Sequence, residues 1–316
     1  MRNLRSAPVG GMTLCALLLL ALLPLLRGGG HGPGDSIPAY DVVLTVRPDG
    51  AVHVRETLAF DYASPQVDGL VRVVRGRDGD RVYRMSGLTV TSTTNAPVGV
   101  EVREFLHDRH IVIGEDRTVH GRHTYILEYD LLDAFTPGDP YDEFVWELLE
   151  PGWPVPVTET TVRIEGPAAF ASGCLTGTSR GATPCARRQS GPAAVEFRQS
   201  DLRPHEGLKV RAAFPKGVLT PSEPRYAPPH LAFTPWGWMA LLLVLPLVLV
   251  ARYRTPVWLR RVLIAVGASA VLWDLLLETV PGGGLGRFSV GDQFLSGLGL
   301  LVVGVLAARP PVLRRG

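Results

Sequence analysis

Residues 40–60 read YDVVLTVRPDGAVHVRETLAF. From Tyr40 to Val46, apolar residues recur at every second position, which is the pattern of a half-buried strand. The sequence Pro48-Asp49-Gly50 then supplies turn chemistry, because proline presets φ and glycine permits a positive φ. Residues 51–60 return to strand character, so this stretch predicts two β-strands joined by a turn.

Most of the following sequence, up to residue 217, has the same character, with short apolar segments separated by Gly and Pro turns. Many short strands of this kind favour a sandwich of antiparallel sheets. We therefore predict an all-β domain over residues 35–220, with an immunoglobulin-like arrangement. The further predicted strands are 88–94, 98–103, 110–113, 123–129, 143–148, 159–164, 194–198 and 208–213.

The N-terminal residues resemble an export signal. Arg2 and Arg5 form a basic start, and an apolar run follows from Leu14 to Leu26. The run is shorter than the roughly 20 residues that a membrane-spanning helix needs. We predict that residues 1–34 are a signal peptide, with an uncleaved anchor as the alternative.

The C-terminal quarter is apolar and predicts a membrane anchor. Arginines are frequent in residues 251–261 and 309–316, but the glycine-rich stretch between the last two apolar runs has only Arg287. By the positive-inside rule, the arginine-rich segments and the C-terminus are cytoplasmic and the β domain is extracytoplasmic. The predicted order is a Pro-rich linker at 221–232, transmembrane helices at 233–251, 257–280 and 290–308, an external Gly-rich loop at 281–289 and a cytoplasmic tail at 309–316.

Charge is divided between these regions. Residues 35–235 contain 21 basic and 27 acidic residues, whereas the remaining segments contain 11 basic and 3 acidic ones. The large middle region is therefore acidic, which argues against nucleic-acid binding. The expected partners are the lipid bilayer and an envelope protein or polymer.

Cys174 and Cys185 flank a polar loop. In an oxidising compartment, two cysteines in this arrangement are expected to form a disulfide. Closing a loop of this size contributes roughly 2–3 kcal/mol in the chain-entropy model. Two free thiols are the alternative.

Asp274 and Glu278 lie four residues apart in the second predicted helix, and hence on one face. Ionisable groups within a membrane are costly and are candidates for ion or proton handling. Both residues fall near the outer end of the helix, so solvation at the interface is the alternative.

Other charged groups give weaker signals. His107, His110, His120 and His123 form two HxxH pairs, but residues three apart on a strand point to opposite faces, so we predict no metal site. No nucleophile elbow, phosphate-binding loop or dinucleotide fingerprint occurs, and no cofactor is expected. A basic run predicts a solvated loop, or a contact with anionic polymers or lipid headgroups: Arg72, Arg75, Arg77, Arg81 and Arg84.

Several short motifs, in order and spacing, resemble a family of predicted bacterial membrane proteins known as domain of unknown function 2207. The resemblance covers most of the predicted β domain and implies an envelope location, but it brings no established activity. The motifs are Tyr40-Asp41-Val42, Asp49-Gly50, Val54-Arg55-Glu56, Ile113-Gly114, Gly121-Arg122-His123-Thr124-Tyr125, Tyr129, Trp146, Trp153-Pro154-Val155-Pro156-Val157, Cys174, Gly177, Cys185 and Phe214-Pro215-Lys216-Gly217.

These observations favour a non-enzymatic membrane protein whose β domain binds or scaffolds an envelope component. Two alternatives stay open. One is a transport or signalling role centred on Asp274 and Glu278. The other is a hydrolase acting on the envelope, with a catalytic site that no sequence motif reveals.

Overall fold

The computed structural model describes residues 34–306, apart from 67–68, 106–107, 115–116, 152, 179–180, 229–231, 233, 245, 249–256 and 283–289. The predicted signal peptide and the predicted cytoplasmic tail therefore lie outside the described residues, except for residue 34.

Strands dominate the described part of the chain up to residue 215, and one short strand follows, so the predicted β domain is confirmed. They are β1 (Ser36–Val46), β2 (Val52–Gln66), β3 (Leu70–Arg75), β4 (Arg77–Asp78), β5 (Arg81–Val82), β6 (Arg84–Ser92), β7 (Val100–Phe105), β8 (Asp108–Ile113), β9 (Val119–Leu132), β10 (Phe135–Thr136), β11 (Tyr141–Leu149), β12 (Val157–Glu165), β13 (Ala171–Thr178), β14 (Gly181–Pro184), β15 (Ala186–Gly191), β16 (Ala194–Leu202), β17 (Gly207–Pro215) and β18 (Arg225–Tyr226).

The strands form two large sheets and two small ones. The seven-stranded sheet has the order β15-β16-β12-β1-β2-β9-β6, and the five-stranded sheet has the order β10-β11-β17-β13-β14. The three-stranded sheets are β3-β8-β7 and β18-β5-β4. Buried side chains from both large sheets and from β3 and β8 belong to one hydrophobic core.

The opening stretch forms the predicted pair of strands. β1 and β2 are antiparallel, with Val46 opposite Val52. Gly50 has a φ of +80° in the turn, and the backbone N–H of Ala51 donates to the Asp49 carboxylate at 3.0 Å. The alternating apolar residues of β1, such as Tyr40 and Leu44, are buried. The alternation of apolar residues and the turn residues therefore specify the same strand register.

The prediction that all strand pairs are antiparallel is wrong for one pair. β1 pairs with β12 in parallel, with Val42 opposite Val162, while the other paired strands of the described residues are antiparallel. A parallel pair needs a long crossover, and here the intervening chain builds strands of every sheet. The immunoglobulin-like arrangement stays a prediction.

The prediction of transmembrane helices at the C-terminus is wrong. The described helices are α1 (Pro235–Leu242), α2 (Val257–Gly282) and α3 (Asp292–Leu306). The described residues of α1 and α3 number eight and 15, fewer than the roughly 20 needed for a span. The longer α2 contains Arg260, Arg261, Asp274 and Glu278 among its apolar residues. Over the described residues, no helix combines the length and apolarity required to cross a membrane.

Candidate functional site

Two charged residues interrupt the apolar pattern of the core strands. On β2, Glu56 occupies an inward-facing position between Val54 and Leu58. On β3, Arg72 also takes a buried position. The exposed fractions are 0% for Glu56 and 2% for Arg72. Because an isolated buried charge is very costly, each of these residues requires an opposite charge nearby.

Arg72 and Glu56 form a bidentate ion pair. The Nε and Nη2 atoms of Arg72 lie 2.7 and 3.1 Å from Oε2 and Oε1 of Glu56. Nη2 also donates to the carbonyl of Leu148 at 2.7 Å. The guanidinium lies 5.5 Å from the ring centroid of Trp153. Arg72 thus connects β3, the seven-stranded sheet and β11.

Two tyrosines complete this buried network. Tyr40 donates its hydroxyl to Glu56 Oε2 at 2.9 Å, and Tyr129 donates to Oε1 at 2.6 Å. Burial raises the pKa of both phenols well above the ordinary value. Burial opposes the charge of Arg72, but the Glu56 carboxylate and the two phenols together outweigh this effect and raise the pKa of Arg72. The network therefore consists of one ion pair and two neutral phenols.

Arginines that follow Arg72 also make specific contacts. Arg84 forms two hydrogen bonds to the carboxylate of Asp133, which is 1% exposed at the side chain. Arg75 forms ion pairs with Glu147 and, at 3.2 Å, with Glu150. Arg75 and Arg84 lie on β3 and β6, so the prediction of a loop is wrong for these residues, although Arg84 is 43% exposed at the side chain.

A polar pocket of about 140 Å³ lies between this segment and the five-stranded sheet. Its wall includes side chains of both charge signs and one indole ring. The residues on which its chemistry depends are Arg75, Asp78, Arg81, Trp146, Glu147 and Lys209. Cross-strand pairing places Glu147 directly opposite Lys209, and the two side chains form an ion pair at 2.9 Å.

The charged side chains of the pocket are held in place by one another and by the backbone. Arg81 donates from Nη1 to Thr136 at 2.7 Å and from Nη2 to the carbonyls of Asp133 and Phe135. Its guanidinium lies 5.0 Å from the centroid of the Tyr83 ring. Such contacts fix the direction of the donors and acceptors, as a recognition site requires.

Two buried donors at this pocket lack a hydrogen-bond partner among the described residues: Nε of Arg81 and Nε1 of Trp146. Trp146 is only 2% exposed and packs edge-on against Tyr83, with ring centroids 5.1 Å apart. Buried polar groups without partners are uncommon, because each loses its hydration without compensation. This pocket therefore contrasts with the four hydrogen-bonded side chains of the Glu56–Arg72 network, whose buried polar atoms all have partners: Tyr40, Glu56, Arg72 and Tyr129.

A carboxylate with a raised pKa lies beside the pocket residues. Burial, reinforced by the nearby Glu150 carboxylate, raises the pKa of Asp108 to about 6. Arg75 lies opposite Asp108 in the β3–β8 pair. The pKa of Arg75 is raised because Glu147 and Glu150 outweigh the opposing effect of burial.

The predicted disulfide is confirmed. Cys174 lies on β13 and Cys185 directly follows β14, with the two Cα atoms 5.4 Å apart. The backbone N–H of Cys185 donates to the carbonyl of Cys174 at 3.1 Å. Cys174 lies opposite Val210, next to Lys209 on β17. The bond thus closes the loop beside a strand that supplies one pocket residue.

The predicted pair on the helices is only partly described. Asp274 is fully buried in α2, whereas the side chain of Glu278 lies outside the described residues. The role of this pair stays a prediction. Of the four histidines, His107 also lies outside the described residues, and burial lowers the pKa of His110. Within the described ranges, no group of three or more potential metal ligands occurs.

Sequence reasoning missed the partnership of Glu56 and Arg72, although a signal for it exists. Each residue is a charge at an apolar position of an alternating strand, and the two charges are opposite. Of the pocket residues, the sequence indicates only Arg75 and Arg81, as part of the basic run, because the wall comes from four separate segments that meet only in the folded chain.

Residues 36–214 match the model of the family described as predicted membrane protein (DUF2207), N-terminal domain. The chain belongs to this family. The match includes the buried network and all the residues of the pocket. Membership supports an association with membranes at the level of the family description.

Comparison with curated proteins finds no match. Solved structures similar to the chain include an M1 zinc metallopeptidase from Deinococcus radiodurans, with 17% identity, a TM-score of 0.33 and coverage of 56% of this chain and 42% of that one. A putative protease from Parabacteroides distasonis has 13% identity, a TM-score of 0.35 and coverage of 86% and 59%. Yeast LTA4 hydrolase in complex with bestatin has 13% identity, a TM-score of 0.30 and coverage of 56% and 28%. The chain thus spans less than two thirds of each, and likenesses this weak carry no argument about this family's activity.

Proposed function

We propose that this DUF2207 protein is a non-enzymatic binding protein of the cell envelope, and that its β domain recognises an envelope component through the pocket between β5 and the five-stranded sheet. The observation that carries the proposal is the wall of this pocket. It combines fixed charges of both signs with two buried donors, Arg81 Nε and Trp146 Nε1, that have no partner among the described residues. Charged groups held in fixed directions around a small cavity favour the binding of a polar ligand.

A binding role agrees better with this geometry than catalysis does. Arg75 and Lys209 are each engaged in ion pairs with Glu147. A general acid or base needs a lone pair or proton that can reach a substrate, whereas the carboxylate of Glu147 is held by contacts with two cations. The contacts of Glu147 therefore favour a positioning role.

An extracytoplasmic β domain is part of the proposal. It is supported by the Cys174–Cys185 disulfide, since such bonds persist mainly in oxidising compartments. Lysine labelling tests it, because the chain contains only Lys209 and Lys216, both about half exposed at the side chain. In intact cells, a membrane-impermeant amine reagent should modify both lysines. Modification only after lysis would contradict the proposed location.

Binding is tested by capture. The full-length chain, immobilised from a purified preparation, is incubated with a solubilised envelope extract. The wild type and an Arg198→Met control should retain the same component, since Arg198 is an exposed residue on β16 of the seven-stranded sheet. Lys209→Met and Trp146→Phe should retain much less. Equal retention by all four proteins would contradict recognition through this pocket.

A further inference from the structure

The outer edge of the small sheet β3-β8-β7 has the features of a surface that pairs with another strand. β7 ends the strand order, and no strand of the described residues pairs with its outer side. Among the other edge strands of six or more residues, β6 and β15 contain register shifts and β3 has no exposed residue. The β7–β8 pairing has no shift, and β7 contains neither lysine nor proline. A regular edge of this kind is open to strand addition.

Both faces of β7 are exposed. On one face, Val100 and Val102 are 42% and 43% exposed. On the other face, Glu101 and Arg103 are about half exposed at the side chain and form an ion pair at 2.8 Å. The edge therefore presents an apolar strip on one side and charges of both signs on the other.

The hydrogen bonds of the β7–β8 pair indicate which backbone groups of β7 face outward. The N–H of Gly114 donates to the carbonyl of Gly99 at 2.8 Å, next to the pair of Val100 and Ile113. Hydrogen-bonded and non-hydrogen-bonded pairs alternate along an antiparallel ladder. Val100 and Val102 therefore direct their N–H and C=O groups away from β8, toward the open edge.

We infer that β7 pairs with β7 of a second copy of this chain, antiparallel and with Val102 on the two-fold axis. The two Val102 residues then exchange both of their outward-directed hydrogen bonds. In the same register, Glu101 of each copy lies opposite Arg103 of the other, so the four side chains form a ring of alternating charge. Such self-complementarity is what a two-fold interface requires, and opposite charges across a strand pair support it.

The charges also disfavour neighbouring registers. An axis at Glu101 or at Arg103 would place two like charges directly opposite each other. In the register centred on Val102, the two three-stranded sheets become one sheet of six strands. A single short strand buries little area, so the association is expected to be weak and dependent on concentration.

Cysteine cross-linking of the full-length chain tests the register. In a Cys15→Ser background, Val102→Cys and Val100→Cys each add one thiol beside the Cys174–Cys185 bond. The Cα atoms of directly opposite residues in a hydrogen-bonded pair are ~5.5 Å apart, which a disulfide spans. The two Val100 residues would lie four positions apart, roughly 13 Å along the strands, and serve as the matched control. Under mild oxidation, we expect about tenfold more covalent dimer from Val102→Cys than from Val100→Cys.

Charge reversal tests the identity of the occupant. Glu101→Arg places two arginines opposite each other across the pair. It should weaken self-association of the full-length chain about tenfold, measured by sedimentation velocity over a concentration series. Adding Arg103→Glu restores opposite signs on both sides of the axis and should restore association.

The outcomes separate a second copy from other occupants of this edge. Equal cross-linking of the two cysteine variants, or a double charge reversal that associates as weakly as Glu101→Arg, would overturn the inferred register. A wild-type chain that sediments as a monomer at every soluble concentration would overturn the pairing of two copies. A monomeric chain that loses envelope capture on Glu101→Arg would assign the edge to a strand of another protein, which also overturns the inference.

Discussion

The Glu56–Arg72 network and the pocket use the same kinds of side chains in opposite ways. Both combine arginine, glutamate and aromatic rings, and both lie where sheets meet. In the network, each side-chain polar atom has a partner, whereas at the pocket Arg81 Nε and Trp146 Nε1 have none among the described residues. Satisfied buried charges stabilise one arrangement of the sheets, whereas each unpartnered buried donor leaves a desolvation cost without compensation. Hydrogen-bond satisfaction, rather than residue type, separates the structural cluster from the candidate site.

The network should give the largest effect on stability. Arg72→Met leaves the Glu56 carboxylate buried without its cation. Removing one partner of a buried ion pair typically costs about 3–5 kcal/mol. We expect a loss of this size in the free energy of unfolding, measured by urea denaturation with circular dichroism.

Arg198→Met is the matched control, because Arg198 and Glu196 form a surface ion pair. Its loss should stay below about 1 kcal/mol. Adding Glu56→Gln to Arg72→Met should restore part of the stability, since it removes the uncompensated charge. A single Arg72→Met variant no less stable than the control would show that the buried pair does not hold the sheets together.

Tyr129→Phe tests the network without removing a charge. The change deletes the hydroxyl that donates to Glu56 Oε1 at 2.6 Å and leaves the packing of the ring nearly unchanged. A hydrogen bond to a charged acceptor contributes about 1.5–3 kcal/mol. The same denaturation measurement should report a loss within this range. An unchanged midpoint would mean that Glu56 is satisfied by Arg72 and Tyr40 alone.

The pH dependence of stability tests the raised pKa of Asp108, which lies near the pocket. Its pKa in the folded chain is about 6, against an ordinary value of 3.8, so the folded state holds this proton more tightly than the unfolded state does. The contribution of Asp108 to stability is therefore most favourable below the ordinary pKa and is lost as the pH rises through about 6. A shift of about 2 pKa units corresponds to at most about 3 kcal/mol, which solvent screening at this partly exposed group reduces. Asp108→Asn should therefore stabilise the protein by about 1–2 kcal/mol at pH 7 and have little effect near pH 4. A larger gain at pH 4 than at pH 7 would contradict the raised pKa.

The sequence predicts local features of this fold better than contacts between residues far apart in the chain. The alternation from Tyr40 to Val46 and the turn at Gly50 depend on neighbouring residues, and both appear in the structure. The spacing of Cys174 and Cys185 also sufficed for the disulfide. By contrast, the pairing of β1 with β12 depends on the whole intervening chain. No local pattern specifies such a contact.

The Glu56–Arg72 network and the pocket also differ in how well the sequence predicts them. The charges of Glu56 and Arg72 are visible in the sequence as interruptions of apolar strands, so their burial and pairing were predictable in principle. The pocket depends on the close approach of Arg81 to Thr136 on β10 and of Lys209 to Glu147. Apolar length misled the interpretation of the C-terminal residues, because the described helices are short or contain charges. The apolar composition of a stretch of sequence does not determine where a helix begins and ends.

Trp146→Phe should have the smallest effect on stability. Comparing it with Tyr129→Phe gives the most direct test of the difference between the pocket and the network. Both changes remove one polar hydrogen from a buried aromatic residue, but only the Tyr129 hydroxyl has a partner among the described residues. Deleting the unpartnered Nε1–H removes a desolvation cost that offsets part of the packing lost with the smaller ring. We expect a change in unfolding free energy within about 1 kcal/mol in urea denaturation, together with impaired capture of the envelope component. A loss as large as that of Tyr129→Phe, with capture intact, would mean that Trp146 serves the core and that the two regions do not differ in function.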